Sequence, residues 1–247
     1  MRVSPRQGRC PRRDSQESSG KIRTLLGESV IRQIQGKVVI DFGCGSGTEA
    51  VELALNGARK VIGIDIRESV LSLAREKARR AGVEAHCEFC SDTTMLADVI
   101  ITLDAFEHFC DPESILRKMY SLLKPGGAVL AGFGPTWYHP YGGHLFSAFP
   151  WAHLLFSEAA LLRWRSTFRR DGACRFGEVS GGLNQMTVRR FERLLQRSNF
   201  SIDLLETVPI HRLAFMHNSL TREFTTSVVR CRLVKSASER AKAAGQL

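Results

Sequence analysis

Val38, Val39 and Ile40 make a continuously apolar, β-branched run, the pattern of a central strand buried on both faces. Similar runs recur at Val61 to Ile66, Val99 to Leu103 and Ala128 to Gly132, and a further strand is expected from Glu84 to Cys90. Between them the apolar positions fall at helical spacing. From Glu49 to Leu55 the inward stripe is Ala50, Val51, Ala54 and Leu55, and from Ser69 to Ala81 it is Val70, Leu73, Ala74 and Lys77. Gly82 ends the second of these helices; a third, Glu113 to Leu123, starts behind Pro112 and stops at Lys124-Pro125-Gly126-Gly127. Thr187 is placed to cap another, reaching about Ser198, with Val188, Phe191, Leu194 and Leu195 inward. Two strands, Phe200 to Val208 and Ser227 to Val234, close the pattern, antiparallel to each other. Strands alternating with helices imply parallel pairing and right-handed crossovers.

The first strand, Lys37 to Asp41, runs into an acid and then a turn containing Gly43, Gly45 and Gly47. Ser46 or Thr48 can cap the helix behind it. The second apolar run carries another acid, Asp65. A phosphate-binding P-loop needs Lys and then Ser or Thr after its last glycine, and Gly47 is followed by Thr48 and Glu49. A dinucleotide turn wants glycine where Thr48 stands, and it brings a pyrophosphate that Asp41 would repel. S-adenosylmethionine has no phosphate; its sulfonium and ammonium are attracted by an acid at the strand end. Asp65 can accept both ribose hydroxyls.

Four segments in order, Asp41 to Gly47, Gly63-Ile64-Asp65-Ile66, Leu103-Asp104-Ala105-Phe106-Glu107-His108-Phe109 with Pro112, and Leu122-Leu123-Lys124-Pro125-Gly126-Gly127, resemble the class I S-adenosylmethionine-dependent methyltransferases, in particular their small-molecule type 11 branch. The resemblance covers about Gly36 to Ala131 and weakens towards Lys235. It implies an α/β fold: a Rossmann-like, doubly wound, mostly parallel seven-stranded sheet with an antiparallel edge hairpin and a lid insertion after the fifth strand. It implies S-adenosylmethionine as cofactor, with Asp41, Gly43, Cys44, Gly45, Gly47, Asp65, Ile66, Asp92, Thr93 and Asp104 around it. It also implies a helix from about Lys21 to Gln35 closing over the cofactor side. Relatives bind the adenine amino group through an acid, for which Asp92 is the best match, but the segment Cys90 to Asp98 is shorter than theirs.

The insertion, 133–182, sets this chain apart. Trp137, Tyr138, Tyr141, Phe146, Phe149, Trp151 and Phe156 make it the most aromatic part, and a helix is expected from His153 to Arg169. A satellite core, an apolar acceptor pocket and shallow membrane contact aided by Arg163, Arg165, Arg169 and Arg170 all remain open. His139 and His144 lie in this insertion and His108 behind the fourth strand; these are the candidate bases for deprotonating an acceptor hydroxyl or enol. Asp104, Glu107 and His108 share a face if a helical turn begins there, a set that suits a divalent cation, but the spacing occurs in the resembled family without metal and none is expected.

At 247 residues, one methyltransferase domain from 21 to 235 is expected between a basic tail, 1–20, expected to be disordered, and a frayed end, 236–247. Residues 1 to 23 hold seven Lys and Arg against Asp14 and Glu17, a balance of +5 out of the chain's net +10. No apolar stretch reaches spanning length, no apolar core follows the amino-terminal arginines, and the seven cysteines lack a regular spacing. A cytoplasmic protein is expected. The leading expectation is a small-molecule O- or C-methyltransferase. An RNA methyltransferase and a non-catalytic scaffold are the alternatives. Against RNA stand the absent Asn-Pro-Pro-Tyr-like tetrapeptide and the absent paired catalytic cysteines.

Overall fold

In the computed structural model the described residues are 20–143, 146, 149–167, 175–178 and 182–237. Seven strands form one sheet: β1 (Val38–Phe42), β2 (Lys60–Ile64), β3 (Cys87–Cys90), β4 (Ala97–Leu103), β5 (Leu123–Phe133), β6 (Ser201–Pro209) and β7 (Thr226–Val234), in the spatial order β3-β2-β1-β4-β5-β7-β6. β1 to β5 pair in parallel; β7 runs antiparallel between β5 and β6. The fold expected from the alternation is the fold observed.

The helices are α1 (Lys21–Leu26), α2 (Val30–Ile34), α3 (Thr48–Leu55), α4 (Glu68–Arg80), α5 (Pro112–Leu122), α6 (Ala152–Leu155), α7 (Glu158–Arg165), α8 (Val188–Gln196) and α9 (Arg222–Thr225). They cover the sheet on both sides, and successive residues of β1 divide between two cores. Ile40 and Phe42 join Phe106, Phe133 and Phe191 on one face; Val39 joins Ile22, Leu53 and Leu71 on the other. Period-two alternation of side chains across a strand causes this split, so a continuously apolar strand serves both layers. Cys90 and Cys87 pack against these opposite cores.

Three expectations about helices need correction. The helix expected from Lys21 to Gln35 is broken into α1 and α2 at Gly27, whose φ of 85° lies in the left-handed region. The one expected from His153 to Arg169 is broken after Phe156, where Ser157 accepts from Ala160 N–H and starts α7. The buried stripes of α3 and α4 are also displaced: Leu53 and Leu71 face inward, whereas Leu55 and Leu73 are exposed.

The lid carries its own small core of Phe146, Ala152, Leu161, Leu162, Phe176 and Leu183, with Trp137 against it. His153 is buried there; its Nδ1 accepts from Gly143 N–H, and burial holds the ring below its usual pKa. Arg165, expected on a basic surface, is buried instead with its guanidinium 5.7 Å from the Phe146 ring centre. His144, Arg169, Arg170, most of the amino-terminal tail (1–19) and the carboxyl end (238–247) lie outside the described residues.

Candidate cofactor and acceptor site

A doubly wound sheet opens a crevice beyond the carboxyl ends of its strands, where the strand order reverses. Here the reversal falls between β1 and β4, so the crevice lies between the glycine turn after Phe42 and the segment from Asp104 to Phe109. The turn is tied to β2. Gly43 and Cys44 donate their N–H groups to the Ile64 carbonyl, at 2.8 and 2.9 Å, and Gly45 N–H donates to Asp65 at 3.0 Å. Gly45 has φ 50°, and a Cβ built on it would meet nothing within 4 Å, so its open side faces space that a ligand can take. Gly47 is required for a different reason. Its φ is 73°, and a Cβ would come within 2.6 Å of Ala74 on α4. Neither Ser46 nor Thr48 caps α3, as was expected of them; both hydroxyls instead accept from the Lys77 ammonium.

Four carboxyls surround one ammonium at this crevice. Lys21, on α1, lies 3.0 Å from Asp104 and 3.5 Å from Glu49, and it is within electrostatic reach of Asp41 and Glu107. Burial works to lower the Lys21 pKa, but Asp104 and Glu49 outweigh it and hold the ammonium above its usual value. Asp41 is 3% exposed, and its Oδ2 has no hydrogen-bond partner. Burial, then the neighbouring Glu49, pushes its carboxyl up to about 8. Glu107 is also 3% exposed with an unpartnered Oε2, and burial, aided by Asp104, pushes it to about 8 despite N–H groups of the backbone nearby. Asp104 holds φ 46°, an uncommon conformation for a residue with a side chain. With values near 8, Asp41 and Glu107 hold their protons at neutral pH, and each ionises only where a positive group comes close to it.

Asp65 is buried at the end of β2. Burial alone would raise its pKa, but Arg67 and the Gly45 N–H bind the carboxylate and hold it below the usual range. Arg67 grips both oxygens, at 3.0 and 3.1 Å. Ile66, next to it, is 90% exposed, an apolar side chain left bare at the crevice edge. Asp92 is turned towards α5, where Lys118 pairs with its Oδ1 at 2.8 Å, and Thr93 N–H donates to the same oxygen. The Cys44 thiol is buried and pushed well above its ordinary pKa by that burial.

Two of the three candidate histidines can be placed. His108 sets Nδ1 2.9 Å from the Gly182 carbonyl, which places the hydrogen on that nitrogen. His139 does the reverse. Its Nδ1 accepts from Tyr141 N–H at 3.0 Å, so in the neutral ring the hydrogen sits on Nε2. The geometry therefore brings together Asp41, Gly43, Gly45, Asp65 and Asp104, adds Lys21, Glu49 and Glu107, and leaves Asp92 on an exposed ion pair. Glu107 was legible in sequence only as a member of a trio; the helix that begins at Lys21 was expected over the cofactor side, but the pairing of the Lys21 ammonium with Asp104 and Glu49 is a tertiary contact that no local pattern marks.

Residues 34–132 match the profile of a methyltransferase domain. A ubiquinone biosynthesis O-methyltransferase of Stutzerimonas stutzeri (strain A1501) is 39% identical over 102 residues, 39% of this chain and 44% of the relative. The chain thus spans less than half the length of the curated relatives it matches. Among solved structures, magnesium protoporphyrin IX methyltransferase of Synechocystis PCC 6803 with bound SAH has a TM-score of 0.54 at 17% identity, over 88% of this chain and 83% of that one. A geranyl diphosphate methyltransferase in complex with SAM reaches 0.59 at 14% identity, over 88% and 85%. The chain has the fold of the class I S-adenosylmethionine-dependent methyltransferases. Residues 34–132 match the methyltransferase-domain profile, and about the same length of chain is similar in sequence to ubiquinone biosynthesis O-methyltransferases.

Proposed function

We propose that this protein binds S-adenosylmethionine at the β1–β4 crevice and methylates an oxygen of a small apolar or aromatic acceptor. The observation that supports it best is the carboxyl cage: two buried acids with bare oxygens beside a glycine turn, where a diphosphate would be repelled and a sulfonium attracted. The donor supplies an electrophilic methyl on a positively charged sulfur. Asp41, Asp104 and Glu107 favour that charge and the ammonium of the same molecule, Asp65 accepts the ribose hydroxyls once Arg67 yields, and Ile66 gives the adenine an apolar edge. Asp92 and Thr93 serve the adenine amino group only if Asp92 leaves Lys118. The chain's remaining task is to hold donor and acceptor in line and exclude water. The aromatic lid suits that task.

Of the candidate histidines we assign the proton of the acceptor hydroxyl to His108, which follows the fourth strand at the crevice and whose ring the Gly182 carbonyl orients. The described cysteines are free thiols, which fits a reducing compartment such as the cytoplasm.

Isothermal titration with S-adenosylmethionine, followed by incubation of labelled donor with a metabolite extract, tests the reading. Heat of binding and a labelled small molecule are expected. Absence of heat would mean a scaffold; label in RNA, with binding that falls steeply with salt, would mean the alternative substrate. His108→Gln should lose turnover with donor affinity kept.

A further inference from the structure

The connection between β6 and β7 returns the chain to the carboxyl edge of the sheet, because β7 is antiparallel to β5 and Val229 pairs with Phe133 at the end of β5. A 3-10 helix, His211–Met216, and α9 make up this connection, and no side chain of the 3-10 helix is buried. Phe215 is 85% and Leu220 82% exposed, and Met216 and Phe224 are exposed as well. These side chains are presented by an ordered backbone. The His217 ring spans the Thr207 and Thr225 hydroxyls, and Asn218 Oδ1 accepts from the Leu220 and Thr221 N–H groups.

The lid adds to the same rim: Tyr138 packs on Phe224 with ring centres 5.2 Å apart, and the exposed Trp151 donates its Nε1–H to the Tyr138 carbonyl. Charge lies alongside. An open cavity of about 650 Å³ beneath Tyr138 is lined by Arg189, Arg190, Arg193 and Arg222. Its two carboxylates are already engaged: Glu192 is gripped by Arg222 at 2.5 and 2.7 Å, and Glu223 accepts from the Val188 and Arg189 N–H groups at the start of α8. The cavity therefore keeps a positive excess next to bare apolar side chains.

We propose that this rim docks on an anionic phospholipid bilayer, with Phe215, Leu220 and the lid aromatics entering the headgroup boundary and the arginine cavity taking lipid phosphate. Charge complementarity selects this occupant: a second copy would set the arginines of one chain against those of the other, whereas phosphates satisfy them. The docked face lies along the carboxyl edge of the sheet on which the crevice also opens, so an acceptor dissolved in the bilayer would approach the site from that edge. The docking does not depend on methyl transfer and is tested without it.

The test uses the full chain and sucrose-loaded vesicles of phosphatidylcholine, with and without a one-third share of phosphatidylglycerol. Wild type should sediment with the anionic vesicles and remain in solution with the neutral ones. The double variant Phe215→Ser, Leu220→Ser, and separately Arg193→Glu, should lower the partition at least tenfold at an unchanged melting temperature, since all three side chains are exposed. Phosphatidylglycerol with brominated acyl chains should quench the fluorescence of Trp151. The proposal fails if wild type ignores the anionic vesicles. It also fails if the double variant binds them as wild type does, which would give the binding to the basic tail. A dimer broken by the double variant, with no vesicle binding, would assign the rim to self-association instead.

Discussion

Asp41 and Glu107 show how two side chains can be more informative than a motif. Each is buried, each keeps an oxygen without a partner, and each has its carboxyl pushed up to about 8. A cationic donor that needs the ionised Asp41 must displace its proton below that value. Donor affinity should therefore weaken by about tenfold per pH unit as pH falls below 8 and level off above it. Titrations in buffers of different ionisation enthalpy will show proton release at pH 7, and Asp41→Asn should flatten the profile. Arg67 makes a second prediction at this scale. It occupies the two Asp65 oxygens that a ribose needs, so Arg67→Ala should tighten donor binding several-fold. Weaker binding by that variant would place Arg67 among the residues that hold the donor.

At the scale of elements, most of the sheet was legible, because strands buried on both faces read as unbroken apolar runs and glycines mark the turns. The glycine turn, Asp65 and Asp104 were legible for the same reason: each closes a strand. What was not legible follows from tertiary contacts. Ser157 starts a helix in the middle of an aromatic stretch because Ala160 N–H needs an acceptor. Arg165 turned inward because an aromatic face, Phe146, lay within reach, a contact invisible in a helical wheel. The exposed segment around Phe215 gave no periodic signal at all, since no face of it is buried. The aromatic group that joins the layers is a direct test of the packing. Phe191 on α8 is fully buried, 5.1 Å from the Phe106 ring and 4.8 Å from that of Phe133. Phe191→Ala should cost about 3–5 kcal/mol in urea unfolding. Thr187→Ala, which removes the hydroxyl that accepts from Arg190 N–H, should cost about 1 kcal/mol.

For the whole molecule, the buried acids tie stability to pH. Asp41 and Glu107 have ordinary values of 3.8 and 4.5 and hold their protons more tightly in the folded state, up to about 8. Their contribution is fully present below the ordinary carboxylate range and is lost as pH rises through 8. The ligand-free melting temperature should fall as pH rises from about 5 to about 8 and level off above it. The double variant Asp41→Asn, Glu107→Gln should remove most of that slope, as should saturating donor.

Lys21 has one more consequence. Its ammonium already sits among the carboxyls that an incoming cation would need, paired with Asp104 at 3.0 Å and only partly shielded from solvent. Loading is thus an exchange of one positive group for another. Added electrolyte loosens the resident pair but also dims the long-range pull on the newcomer. In stopped-flow measurements the rate of donor capture should rise and then decline as ionic strength grows, whereas an unobstructed acidic crevice would give a steady decline.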